Sequence, residues 1–484
     1  MLDICRDFFS HLNEHQVLYC HWKSTIRLQR GLDGKTDLDL LVHQRDLLSF
    51  ERALGMFGFK RILSPPWKRS DGIEDYLGFD QASAALVHLH VHYKVVLGEK
   101  HLKVIHLDLE DYVLQTRKFI DIMPVPRPEV ELLLAIIRFH LKYETREIAF
   151  NHLKRVLRPA RHPYPDAVWE ELAFLLGQTT PEAFRTVLRE TRVPLSEELI
   201  MNYLDRLRRS EVTSGEVRGV RRHVLDRTRP FRTIPPARYH VRKALVSLRT
   251  LPFMPALRTK KTLPNGGSFI SLVGADGSGK STLAKDLVSW LSWKLSVRTV
   301  YFGIPEGVFI DLLKLINRTA SLGQKYLPWR RIEQSCLHII RYTDAWRWIF
   351  IARNRLDLYR SSLRSASRGW VVIADRYPLT LFDAMEHPMD GPRLRTSASA
   401  MPRATRIEKD LYDLIGLPDR VFVLQSDFTT LRARKSNLDE RQHRQKVAAV
   451  NAVAASERLV PVDVNRPYQD VLMDLKREIW RLLS

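Results

Sequence analysis

Residues Gly274-Ala-Asp276-Gly277-Ser278-Gly279-Lys280-Ser281 fit G-x-x-x-x-G-K-[ST] at every fixed position, with Thr282 next. Such a stretch does one kind of chemistry. Glycines allow positive φ and turn successive amide N–H groups inward. The positive end of a following helix faces the same hollow. A lysine at position 280 reaches β- and γ-phosphates, and a serine hydroxyl at 281 ligates Mg²⁺. The spacing therefore predicts a cradle for a nucleoside triphosphate with Mg²⁺.

The flanking residues must position that cradle. "SFISLV", from Ser268, is an apolar run of buried-strand type, and Leu283, Leu287, Leu291 and Leu295 form a helical stripe after it. "GWVVIADRYP" puts Asp375 at the carboxyl end of a second apolar strand, where ligands bind in open α/β sheets. A carboxylate there holds Mg²⁺ through water, and Arg376 points its planar fork toward phosphate oxygens. "PDRVFVLQSD" reads as a third strand, and Leu459 to Val464 as the last. Between them lies a basic segment with Arg432, Arg434 and Arg441. It either closes over bound phosphates or is an ordinary charged helix face.

These motifs resemble the thymidylate kinase family of nucleoside monophosphate kinases over residues 268–484: "GADGSGKSTL", "DRY" at Asp375 to Tyr377, the "PDRVFVL" strand and the arginine-rich segment. The resemblance implies a P-loop kinase fold and transfer of the γ-phosphate of ATP to a phosphorylated small-molecule acceptor. It implies that Asp276 lies near the acceptor sugar and that Arg376 contacts its phosphate. Lys280, Asp276, Asp375 and Arg376 would then carry catalysis. Gly274, Gly277, Ser278, Gly279, Ser281, Thr282, Arg432, Arg434 and Arg441 would hold the nucleotide. The chain departs from the family between Tyr301 and Trp370, and again in "PLTLFDAMEHPMDGPRL", where Asp390 and Arg393 either touch an acceptor or form a turn. The acceptor stays open between a nucleoside monophosphate, another nucleotide, a sugar phosphate and a larger carrier.

Near the other end, "GKTDLDLLV" sets Asp37 and Asp39 two apart, so both project from one strand face, a spacing that can share Mg²⁺. Ser24 of "CHWKS" stands 13 positions before Asp37. This pattern is similar to polymerase-β-like nucleotidyltransferases, with Trp22-Lys23-Ser24 at the phosphate turn and His88-Leu89-His90 on a later strand. A histidine at the third carboxylate position suits Mg²⁺ less well. His88, His90 and His92 alternate on one strand face, as zinc ligands or as a polar face, and His140 reads as structural.

At 484 residues, two or three domains are expected. The segments are a small α+β nucleotidyltransferase-like domain at 1–125, a helical region with a basic connector at 126–262, and an α/β P-loop kinase domain at 263–484. Its parallel sheet is flanked by helices. Formal charge is +22, and residues 206–261 hold 16 lysines and arginines against three acids. That stretch attracts polyanions or an anionic membrane surface, or is a solvated linker. Tryptophans 290, 293, 329, 346 and 348 read as core rather than as a membrane-interface belt. Three unpaired-looking cysteines, no signal peptide and no membrane span fit a cytoplasmic enzyme, and a homo-oligomer is compatible. Two other readings remain: a regulatory NTPase, or a catalytic N-terminal domain with the P-loop as nucleotide sensor.

Overall fold

The computed structural model describes the chain except residues 100–101, 143–162, 250–259, 306, 327–329, 383–388, 396–400, 436–438 and 484. It divides into two units, Met1–Lys261 and Thr262–Ser484.

The first unit is built on a mixed sheet of order β1-β2-β5-β4-β3. These strands are β1 (Tyr19–His21), β2 (Leu38–Val42), β3 (Lys60–Ile62), β4 (Ile73–Phe79) and β5 (Leu86–His92). Alternation decides its two faces. Leu38, Leu40, Val42, Leu89 and Val91 join Phe8, Phe9 and Phe50 from the helices Asp3–Glu14 and Leu47–Met56 in one buried core. The other face carries Asp39 in register with His90. β5 ends at His92 and the chain breaks at Tyr93–Lys94, where the Tyr93 amide donates to Gly72 O; β6 (Val95–Glu99) then pairs with β7 (Leu102–Leu107). A further hairpin joins β8 (Lys118–Ile120) and β9 (Met123–Val125).

A helical cluster follows around the nearly all-buried helix Pro128–Lys142. The basic stretch 206–261 is not an irregular connector over its described residues. It forms the helices Ser214–Thr228 and Pro236–Arg249, the first closed by a Thr213/Glu216 capping box. Some of its cations are structural: Arg221 is buried and donates to His140 O at 2.6 Å.

His140 is itself buried, with Nδ1 2.7 Å from Ile136 O and Nε2 3.1 Å from Tyr203 Oη. Burial holds His140, His21 and His90 down to about 4. The unfolded chain, titrating near the ordinary histidine value, therefore binds more protons than the folded one between those limits, so stability rises with pH across that window and is lost as the solution is acidified. Glu131, pushed up to about 7 by burial, works the other way as a single group. Urea unfolding is expected to show a lower midpoint for this unit at pH 5 than at pH 7, and His140→Phe should flatten the dependence. A pH-independent midpoint would refute the buried neutral imidazoles.

The second unit holds a wholly parallel sheet of order β11-β12-β10-β13-β14. Its strands are β10 (Phe269–Gly274), β11 (Val297–Tyr301), β12 (Val371–Asp375), β13 (Arg420–Gln425) and β14 (Leu459–Asp463). Near-continuous apolar runs suit strands covered on both faces, and β10 is buried throughout. The helix after β10 ends at Leu291, one turn short of Leu295, which is buried beyond it. Trp290, Trp293 and Trp348 are half-buried and Trp346 is exposed, so none of the described members of that tryptophan set fills the core. Trp329 lies outside the described residues. Among the described residues no helix is long and apolar enough to cross a membrane.

Candidate active site: a phosphate cradle and an adjoining cationic pocket

β10 ends at Gly274, and the helix Lys280–Leu291 starts six residues later. Gly277 and Gly279 both take φ +87°, which an L side chain rarely adopts. A Cβ at Gly274 would stand 2.7 Å from Ser278 Oγ and 3.0 Å from Leu424 O, so the loop can lie this close to β13 only with glycine. Lys280 is buried, and its Nζ donates to Gly274 O and Ala275 O, each at 2.8 Å. Burial pushes its ammonium down to about 8, against the pull of Asp276. Ser278 Oγ is buried with no hydrogen-bond partner among the described residues. The loop thus holds an unsatisfied donor and a desolvated cation beside a helix N-terminus, a combination that favours an anion.

Parallel pairing of β10 with β12 sets Leu272 against Asp375 and so brings the carboxylate beside the loop. Ser281 Oγ donates to Asp375 Oδ2 at 2.6 Å. Asp375 Oδ1 is buried with no partner among the described residues. The serine hydroxyl, the carboxylate oxygen it meets and the orphaned second carboxylate oxygen together fit a hard divalent cation such as Mg²⁺.

Arg376 follows at φ +70°, a left-handed backbone rare outside glycine. That turn aims its guanidinium between Asp276 and Asp390, 3.8 Å from each, and 5.7 Å from the Tyr301 ring centre. Asp276 also pairs with Lys446 at 3.4 Å. Burial opposes its ionisation, but Lys446, Lys280 and Arg376 outweigh that and keep it below the usual carboxylate range. Gly274, Asp276, Lys280, Arg376, Asp390, Arg393 and Lys446 line one pocket. Asp390 is anchored by the buried Arg355, which also donates to Phe302 O at 2.7 Å and to Tyr412 Oη at 2.5 Å. Arg393 approaches the Trp348 ring at 5.8 Å, and the amide of Arg393 donates to Glu408.

The structure therefore gathers Gly274, Asp276, Lys280 and Arg376 into one pocket and joins Ser281 to Asp375 beside it. Thr282 is exposed in the first helical turn. Arg432, Arg434 and Arg441 are not in the pocket lining. Arg432 is exposed and pairs with Glu440 at 2.9 Å, Arg434 donates to Val464 O at 3.2 Å, and Arg441 is exposed. The cation this segment does contribute is Lys446. Its signal was its place beside the inward stripe of His443, Val447 and Val450 on the helix Glu440–Asn451.

In the first unit, Asp37 immediately precedes β2 and lies 3.0 Å from His88 Nδ1, while Asp39 holds Lys23 at 2.8 Å. Burial opposes ionisation of Asp39, yet Lys23 and His90 hold its carboxyl down to about 2. Asp39, His90 and His92 each bring one ligand atom within 4.8 Å of the others, but Lys23 Nζ already lies 3.5 Å from His92 Nε2. Sequence reasoning missed Asp75 on β4. It accepts from His88 at 3.1 Å, His90 at 2.7 Å and Lys261 at 2.6 Å. Ser24, in the turn after β1, is left-handed at φ +59°.

No family model matches the chain. The uncharacterized ATP-binding protein YghR of Escherichia coli (strain K12) is 24% identical over 220 residues, 43% of this chain and 86% of that protein. The uncharacterized ATP-binding protein YghS of the same strain is 24% identical over 234 residues, covering 44% of this chain and 93% of its own length. Among solved structures, thymidylate kinase from Candida albicans matches 45% of this chain and 92% of its own, at 20% identity and a TM-score of 0.28. At that score the likeness adds nothing to the geometry of the site.

Proposed function

We propose that the second unit is an ATP- and Mg²⁺-dependent kinase that moves a γ-phosphate onto a phosphorylated acceptor, with a nucleoside monophosphate as the acceptor class the pocket suits best. One observation carries this reading. The ATP-type cradle opens onto a pocket where Asp276, Arg376, Asp390, Arg393 and Lys446 converge. Three cations in addition to Lys280 exceed what the nucleotide's own phosphates require and suit a second, phosphorylated ligand. Similarity to two proteins named as ATP-binding supports the nucleotide assignment.

Mg²⁺ would be held by Ser281 and Asp375, and it would supply charge neutralisation at the β- and γ-phosphates. The protein's own part is placement. Lys280 binds the phosphate tail, Arg376 binds the acceptor's phosphate, and Asp276, held ionised, accepts a hydrogen bond from the acceptor and fixes its angle. The bond from the acceptor oxygen to γ-phosphorus forms as the β,γ-bridging bond breaks, and ADP leaves with that electron pair. Arg393 and Lys446 add charge where the acceptor enters.

The first unit we read as nucleotidyltransferase-like in arrangement, on the strength of its left-handed Ser24 turn and Asp39 on the paired strand. With Asp37 on an imidazole and Asp39 on an ammonium, the donor set does not fit Mg²⁺, and no transfer step is assigned to it.

Incubation of the full chain with γ-labelled ATP and a panel of nucleoside monophosphates and sugar phosphates tests the kinase reading. Label is expected on an acceptor only when that acceptor already bears phosphate. Hydrolysis of ATP at one rate with or without every acceptor would replace this reading with a regulatory NTPase.

A further inference from the structure

We infer that the first unit carries a second site, for a phosphate-bearing small molecule, in a cavity beside β3 and β4 anchored by Lys103 and Lys261. The inference stands apart from the kinase reading, since the cavity belongs wholly to the first unit. It encloses about 510 Å³, a volume in the range of small-molecule sites, and it includes neither Asp37 nor Asp39.

Its walls hold five lysines and arginines against three acids. Those acids are largely engaged. Glu74 pairs with Arg61 and accepts from Tyr76 at 2.6 Å. Asp75 accepts from Ser64 at Oδ2, 2.9 Å, and from His88, His90 and Lys261 at Oδ1, so both its oxygens are engaged. The cations keep donors to spare. Lys103 Nζ lies 2.7 Å from His90 Nε2, and His90 Nδ1 faces Asp75, so the imidazole donates to the acid and accepts from the lysine. That uses one of three ammonium N–H bonds. Lys261 Nζ meets Asp75 and, at 3.3 Å, Ser64 Oγ. Lys68 and Arg69 stand on the same wall. Several ammonium groups converging from different elements suit a tetrahedral anion with many oxygens better than a planar carboxylate. Both an inorganic polyphosphate and the phosphates of a nucleotide offer that chemistry.

Hydrogen exchange of the full chain with inorganic tripolyphosphate, and in parallel with ATP, tests the site while resolving it from the phosphate loop. Protection is expected in residues 61–75 and 102–107. Lys103→Met with Lys261→Met should remove it there, raising Kd at this site by about tenfold or more, while protection at residues 274–282 persists. Lys261→Met alone should weaken it in the same direction and guards against a misfolded double variant. A stronger effect of ATP than of tripolyphosphate would identify the ligand as a nucleotide, and equal effects would identify phosphate alone. Absence of protection in 61–75, or equal weakening when the exposed Lys35 and Lys118 are replaced instead, overturns the proposal.

Discussion

Lys280→Ala is expected to reduce phosphoryl transfer by about a thousandfold or more, the scale seen when a preorganised charge is taken from a developing anion in a desolvated site. The residue is 9% exposed, and its ammonium is held between two loop carbonyls at the mouth of the pocket. Arg376 and Lys446 are poorly placed to replace it, because they are committed to Asp276 and Asp390 on the acceptor side. Stability should respond differently. Burial disfavours the charged form, as the depressed pKa of about 8 records, so the charge costs folding free energy at neutral pH. The variant's thermal midpoint without nucleotide is therefore expected not to fall, whereas the midpoint rise on adding ATP should disappear. Labelled-ATP transfer and thermal unfolding with and without ATP separate the two effects. An active variant would remove the proposed role.

Arg355→Met is expected to destabilise the second unit by about 3 kcal/mol or more, the usual cost of removing one member of a buried ionic network. At 2% exposure this guanidinium ties Phe302 O, just beyond β11, to Asp390 and Tyr412. It also supports Asp390, whose φ of +56° has no glycine to relax it. Loss of the tie should loosen Asp390 and raise the acceptor's KM more than that of ATP. Arg355→Lys should not rescue, since one ammonium cannot span three acceptors fixed by a planar fork. Urea midpoints and separate KM values for the two substrates check this; a lysine variant of native stability would contradict it.

How much could be read from the chain follows from how local each feature is. The cradle is contiguous, and its glycines, lysine and serine announce themselves by spacing alone. Asp375 was legible because it ends an apolar strand, and the parallel sheet that places it was legible from the alternating runs. The acceptor side was legible only in part: Asp276 and Arg376 stood in motifs, Asp390 and Arg393 were left between acceptor contact and turn, and Lys446 was missed. Asp390, Arg393 and Lys446 come from a turn and a helix whose distance to the loop is set by tertiary packing, and the arginine count drew attention to Arg432 and Arg441, which stay on the surface. In the first unit, the histidine alternation marked a face correctly. Asp75 and Lys261, which complete its charge network, are brought there by strand pairing and by a segment far along the chain.

The backbone at Arg376 carries one more implication. Its φ of +70° is a conformation that glycine accepts freely and arginine resists. Selection for thermal robustness alone would thus drift toward glycine at this position, while selection for turnover would hold the guanidinium in place. The residue sits where durability and work pull in opposite directions, and directed evolution under either pressure alone would reveal which one has shaped it.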